Sequence, residues 1–246
     1  MSVWLVFAAA LGTALATGLG AVPLLFIRGK SRSWLGAGDA LAAGMMTAAT
    51  IALLYEGGRR GIGVTAGGAA LGAVFMLGSR RLLEHRKNLS FASLRGSDAV
   101  KAAAIVGAMT VHSFTEGVGV GVSFGDGRTL GLLIAFAIAV HNIPEGLAVS
   151  LVLVPRGTSV LRAAGWSIVT SLPQPLIAVP AFLFVEQFRS LLPLGLGFAG
   201  GAMLWIVGTQ LVPDALHESS VRSVTLTAAV AGVAMLGLQA LLLGGL

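Results

Sequence analysis

Two stretches of this chain carry residues that could do chemistry, and they repeat one another. His112 is followed four residues later by Glu116 and then Gly117; 29 residues on, His141 is followed four residues later by Glu145 and then Gly146. Positions i and i+4 of a helix share one face about a turn apart. Each stretch therefore presents an imidazole and a carboxylate in the same direction. Both lie in long apolar runs, where ionisable groups are costly and usually functional. Two such helices face to face would gather two imidazoles and two carboxylates around one point. That donor set suits zinc, iron, manganese and related divalent ions, and the ligands alone do not select among them. A membrane histidine more often hydrogen-bonds a neighbouring helix, and one such pair could be a buried ion pair. The duplication, with a glycine after each carboxylate that lets a neighbour approach, favours a metal.

The elements that position these residues must be membrane helices. Of the 246 residues 56% are hydrophobic and 11% charged, with mean hydropathy +0.91; a soluble domain carries roughly 25% charged residues. The 35 glycines suit close helix packing in a bilayer. Cysteine is absent, which excludes disulfides and thiolate ligands. The net charge of +6 sits in the turns between apolar runs, so it reads as a topology signal and not as a nucleic-acid surface. No basic stretch precedes the first apolar run, so a cleaved signal peptide is not expected.

Eight runs approach the length a bilayer needs: 3–27, 40–54, 61–77, 102–122, 130–154, 163–185, 191–212 and 224–246. The turns between them alternate in Lys and Arg content, 12 in odd turns against 4 in even ones. The positive-inside rule places odd turns in the cytoplasm and both termini outside. The longest turn, about 80–101, becomes a cytoplasmic loop within a single transmembrane domain, 1–246. Pro144, Pro173 and Pro175 fall inside spans, where they free backbone carbonyls and point to a polar cavity. Asp39, Glu56 and Asp126 lie near span ends and are expected to be solvated, like Glu84 and His85 in the basic loop. Asp214, His217 and Glu218 close the seventh span, either as an exit site or as a surface cluster. Gln174 and Gln210 stand out as amides inside spans six and seven.

His141, Asn142, Ile143, Pro144, Glu145 and Gly146, with His112, Ser113, Thr115, Glu116 and Gly117, resemble the fifth- and fourth-helix signatures of the ZIP family of divalent metal transporters, its bacterial GufA-like branch above all. Ala42–Met46, Gly201–Leu204 and Leu211–Asp214 extend the likeness across the chain. The resemblance implies eight spans with both termini outside and a metal site between helices four and five. It implies import of zinc, iron, manganese or cadmium. By position, His112, Glu116, His141 and Glu145 match the primary metal site, while Ser113, Asn142 and Gln174 match positions that complete an adjacent second site. Here the chain departs: Ser113 stands where Asn or Asp is common, and Gln174 and Gln210 stand where Glu is frequent. A neutral amide replacing an anion argues for one ion at a time, with Ser113 and Gln174 giving weak or water-mediated contacts. The loop has only His85, so metal sensing there is not supported.

The expectation is an all-α integral membrane transporter, not an enzyme, that moves divalent metal, zinc foremost, toward the cytoplasm by alternating access. Its partners are the metal ion and the bilayer, with no nucleic acid and with a homodimer compatible, and its place is the cell membrane. A membrane haem protein with His112 and His141 as axial ligands would not need the two glutamates. An intramembrane metallohydrolase would need a general base that the motifs do not supply.

Overall fold

A computed structural model describes residues 1–26, 32–84 and 96–244, and among these every regular element is helical. We number them α1 (Val3–Leu19), α2 (32–60), α3 (62–84), α4 (Gly96–Gly125), α5 (Arg128–Leu153), α6 (Val160–Ser171), α7 (Pro173–Gln187), α8 (Leu192–Ile206), α9 (Val212–Glu218) and α10 (Val221–Gly244). Among the described residues, six stretches are long and apolar enough to cross a membrane. Large apolar side chains stand outward around the bundle, Trp4, Ile62, Leu161 and Leu241 among them. Such a surface would be a liability in water and is ordinary against lipid.

The stretch from Arg32 to Glu84 is helical except at Gly61, where φ 171° and ψ 93° leave the helical region. In a straight helix residues 57 and 65 would lie about 12 Å apart. Instead a Cβ at Gly57 would stand 2.9 Å from Thr65 Cγ2. The chain therefore doubles back at Gly61, and α2 and α3 form an antiparallel pair. α8 lies against both arms. It runs parallel to α3, with Gly68 on Leu194 and Gly201 on Ala69, and antiparallel to α2, with Gly57 on Leu196 and Gly200 on Leu54.

The same close approaches fix the other directions. α1 runs parallel to α5, since Thr13 meets Asn142 and Thr17 meets Gly146. α4 runs parallel to α7 (Gly117 on Gln174, Gly121 on Ala178) and α2 parallel to α10 (Gly36 on Ser219, Gly44 on Ala228). α4 and α5 are antiparallel, with Gly131 against Phe124. One apolar core links them through residues such as Met46, Leu53, Val120, Ile138, Leu196 and Met203.

The prolines act differently from one another. Pro144 lies inside an uninterrupted α5, whereas α6 ends at Ser171 and α7 restarts at Pro173, so the sixth apolar run is a broken helix. Between α8 and α9 the backbone widens into a π turn over Val207–Leu211, which contains the half-buried Gln210. Such turns often mark functional positions.

Within the stretch expected as a loop, 80–101, α3 runs on to Glu84 and α4 begins at Gly96; His85 lies outside the described residues. One sequence expectation needs correction. Asp39, expected in solvent, is 9% exposed, because the end of α9 covers the first turns of α2 through the Gly36–Ser219 contact. Asp126 is also largely covered, and it pairs with Arg60, tying the α2–α3 turn to the α4–α5 turn.

Candidate metal centre

The two motif glycines explain how the site is assembled. A Cβ at Gly117 would lie 2.7 Å from the carbonyl oxygen of Gln174, and one at Gly146 would lie 1.7 Å from the carbonyl oxygen of Thr17. Only a residue without a side chain lets α7 sit this closely on α4, and α1 on α5. Each glycine directly follows a glutamate, so the helix it admits arrives beside that carboxylate. The motif side chains are therefore enclosed by four helices, α4, α5, α7 and α1.

Between these helices His112, Glu116, His141, Asn142, Glu145 and Gln174 are each no more than 2% exposed. The pairing runs across helices. His112 Nε2 lies 2.9 Å from Glu145 Oε1 and 3.3 Å from Glu116 Oε1. His141 Nε2 lies 2.6 Å from the same Glu116 Oε1. Thus Glu116 Oε1 is shared by both imidazole Nε2 atoms. Ligand atoms of His112, Glu116 and Glu145 all fall within 4.8 Å of one another, and His141 joins that trio through Glu116. A divalent ion held by that trio would meet one nitrogen and two carboxylates, with the His141 nitrogen beside them on Glu116, donors that zinc accepts.

Around this inner group lies an amide layer. Gln174 Nε2 donates to Glu116 Oε2 at 2.5 Å, and Asn142 Nδ2 donates to Gln174 Oε1 at 3.3 Å and to the Thr13 carbonyl at 2.9 Å. The Thr13 hydroxyl also donates to Gln174 Oε1, and Thr17 and Ser171 hydroxyls pair at 2.8 Å. Nδ1 of His112, Nδ1 of His141 and Oδ1 of Asn142 are buried with no hydrogen-bond partner. A buried polar atom left unpaired is costly, so these three are further signs of a site built to receive a polar guest.

The structure thus brings together six of the seven residues singled out from sequence. Gln174, expected to give the ion weak or water-mediated contacts, donates directly to Glu116, because Gly117 admits its backbone. Ser113 is buried on α4 but belongs to none of these hydrogen bonds. Thr13 was missed; the available signal was Thr13 and Thr17 four residues apart, on one face of an otherwise apolar helix. Among the groups at the far end of α9, His217 is exposed and stands 3.4 Å from Glu218, remote in sequence and setting from the buried cluster.

Comparison with known proteins bears on the same region. The family model described as ZIP zinc transporter matches residues 81–240. An Arabidopsis thaliana protein bearing the name "Putative zinc transporter" is 47% identical over 236 residues, 94% of this chain and 38% of its own length. The zinc transporter GufA of Myxococcus xanthus is 33% identical over 224 residues, 85% of this chain and 88% of that protein. The zinc transporter ZIPB of Bordetella bronchiseptica is 30% identical over 236 residues, 90% and 75% of the two chains.

Proposed function

The chain belongs to the ZIP zinc transporter family, a family of metal transporters and not of enzymes, and from that premise we propose that it carries zinc toward the cytoplasm through the His112, Glu116, His141, Glu145 cluster. The observation that carries this reading is the convergence of two imidazoles and two carboxylates, from two helices, in a fully buried pocket. The imidazoles serve as neutral nitrogen ligands, and the carboxylates cancel the ion's two charges. Iron, manganese and cadmium remain competitors, since nitrogen and oxygen donors rank divalent metals without excluding them. Burial implies that the ion reaches each side of the membrane in turn, by alternating access.

Eight passes with outward termini in the cell membrane complete the proposal. α1, α2, α3, α4, α5, the broken pair α6–α7, the stretch α8–α9 and α10 each make one pass. The directions support this: α1 with α5, α2 with α10, α3 with α8 and α4 with α7 run parallel, as passes of equal parity must. The Arg60–Asp126 pair puts the second and fourth turns at one face, and Gly36 against Ser219 puts the first and seventh at the other.

A haem axial role for His112 and His141 fits poorly, since Glu116 Oε1 occupies the space between their Nε2 atoms. The test is metal-resolved uptake into proteoliposomes together with equilibrium binding. His141→Ala and Glu145→Ala should each abolish uptake while the protein remains folded in the membrane. Normal uptake by the double variant His112→Ala/His141→Ala would sink the metal-site reading.

A further inference from the structure

We propose that Thr13 is a positioning residue for Glu116, acting through the Gln174 amide to hold that carboxylate to a single metal-binding oxygen and thereby favouring zinc over larger divalent ions. The proposal rests on the metal-site reading above and adds to it a residue on α1 that lies outside both motifs.

The direction of each hydrogen bond in the amide layer follows from one atom that cannot donate. The Thr13 main-chain carbonyl only accepts, and the nearest side-chain atom of Asn142 is 2.9 Å away, so that atom must be the NH2 group. The same NH2 is 3.3 Å from one end of the Gln174 amide, which must therefore be its oxygen. The other end, 2.5 Å from Glu116 Oε2, is then the NH2 group. The amide polarity is set by the backbone of α1 and needs no assignment of its own.

The Thr13 hydroxyl strengthens this arrangement. It has one hydrogen and two oxygens within reach, Gln174 Oε1 and the Ala10 carbonyl. Within α1 the Ala10 carbonyl already accepts a helical N–H. Gln174 Oε1, which no helical N–H reaches, is the acceptor left to the hydroxyl hydrogen. Gln174 Oε1 thus receives two donors, and only the hydroxyl approaches closely. Without it the amide oxygen keeps only the long bond from Asn142, and the amide's other bond is the one to Glu116 itself, so amide and carboxylate can shift together.

The consequence falls on Glu116. With Oε2 occupied by the amide, only Oε1 is offered to the ion, the same oxygen that faces both imidazoles. One oxygen from Glu116, one from Glu145 and two nitrogens make the four-coordinate shell zinc prefers. Freeing Oε2 would let the carboxylate bind through both oxygens, and higher oxygen coordination suits manganese better. Partners that orient a metal's ligands change affinity by about 10- to 100-fold when removed.

The experiment compares full-length wild type, Thr13→Val and Thr13→Ser in nanodiscs, measuring zinc and manganese affinity by competition titration. Valine fills the space of threonine but cannot donate; serine can. Thr13→Val is expected to lower the zinc-to-manganese affinity ratio about tenfold or more, and Thr13→Ser to restore it. An unchanged ratio in Thr13→Val overturns the proposal, as does a Thr13→Ser variant that behaves like valine, since packing would then be responsible. X-ray absorption at the zinc edge of the wild type gives a check that no variant's folding can spoil: a four-coordinate shell is expected, and both oxygens of a carboxylate on zinc would refute the idea. The His112→Ala/His141→Ala variant separates the two levels. Zinc affinity retained there refutes the metal site itself, whereas affinity lost there with an unchanged ratio in Thr13→Val refutes only the role of Thr13.

Discussion

Gly146→Ala is the sharpest perturbation the geometry offers. The new methyl would stand 1.7 Å from the Thr17 carbonyl oxygen and 2.7 Å from its carbon. Ordinary carbon–oxygen contact begins near about 3.3 Å, so α1 must retreat from α5 by about 1.6 Å. The obstructing atoms are backbone, and no side-chain rotation relieves them. The same retreat would stretch the Asn142–Thr13 bond from 2.9 Å to about 4.5 Å, well outside hydrogen-bonding range. Overpacking of this kind costs about 1–3 kcal/mol of stability. Loss of the amide layer that orients Glu116 should weaken metal affinity by about 10- to 100-fold. Gly117→Ala, whose methyl would lie 2.7 Å from the Gln174 oxygen, requires a shift of only about 0.6 Å and should be milder. Gly12→Ala on α1 meets nothing within 4 Å and should be neutral or stabilising by about 0.5–1 kcal/mol. Thermal unfolding and zinc titration of the three purified variants should rank Gly146→Ala worst, Gly117→Ala next and Gly12→Ala at or above wild type. A Gly146→Ala protein that binds zinc like wild type would refute the claim that α1 must touch α5 for the site to form.

Other outcomes follow from the same geometry. Gln174→Glu keeps an oxygen for the Thr13 and Asn142 donors while turning a second oxygen toward Glu116, so elemental analysis at saturating metal should rise from one ion toward two, with slower release; two tightly held ions in the wild type would defeat the one-ion reading. Imidazole and carboxylate bind metal only in their unprotonated forms, so uptake should fall on acidification, and a rate indifferent to acid would contradict a nitrogen-and-carboxylate metal site. The chain has no cysteine, so single labels are clean: a cysteine at Ser190 should react with an impermeant thiol reagent in intact cells and one at Ser220 should not. The reverse pattern would invert the proposed orientation.

The sequence made His112, Glu116, His141 and Glu145 legible because helical spacing alone puts each histidine with a carboxylate, and two such pairs are costly in apolar spans. It also announced the helix break near Leu172, through Pro173, and the charge alternation of the turns. It did not reveal that Glu116 serves both imidazoles, because which carboxylate meets which ring depends on the offset between α4 and α5. Nor did it reveal Asp39 as buried, since the covering residues come from the end of α9, far along the chain. Thr13 escaped for a related reason. A threonine in an apolar helix usually returns its hydroxyl to its own backbone, as Thr47, Thr110 and Thr209 do here, and only the arrival of α7 gives Thr13 a different acceptor.

That arrival takes time. Thr13 and its acceptor Gln174 are 161 residues apart in the chain, an interval that synthesis at about 5–20 residues per second covers in about 8–32 s. Throughout that interval the first helix is in the membrane without the partner its hydroxyl will bond. Asn142 comes sooner, yet its NH2 group has only the Thr13 carbonyl to hold until Gln174 emerges. The amide layer can therefore close only after Gln174 has left the ribosome. A nascent chain stalled before Gln174 would carry His112, Glu116, His141 and Glu145 and still lack the amide that donates to Glu116.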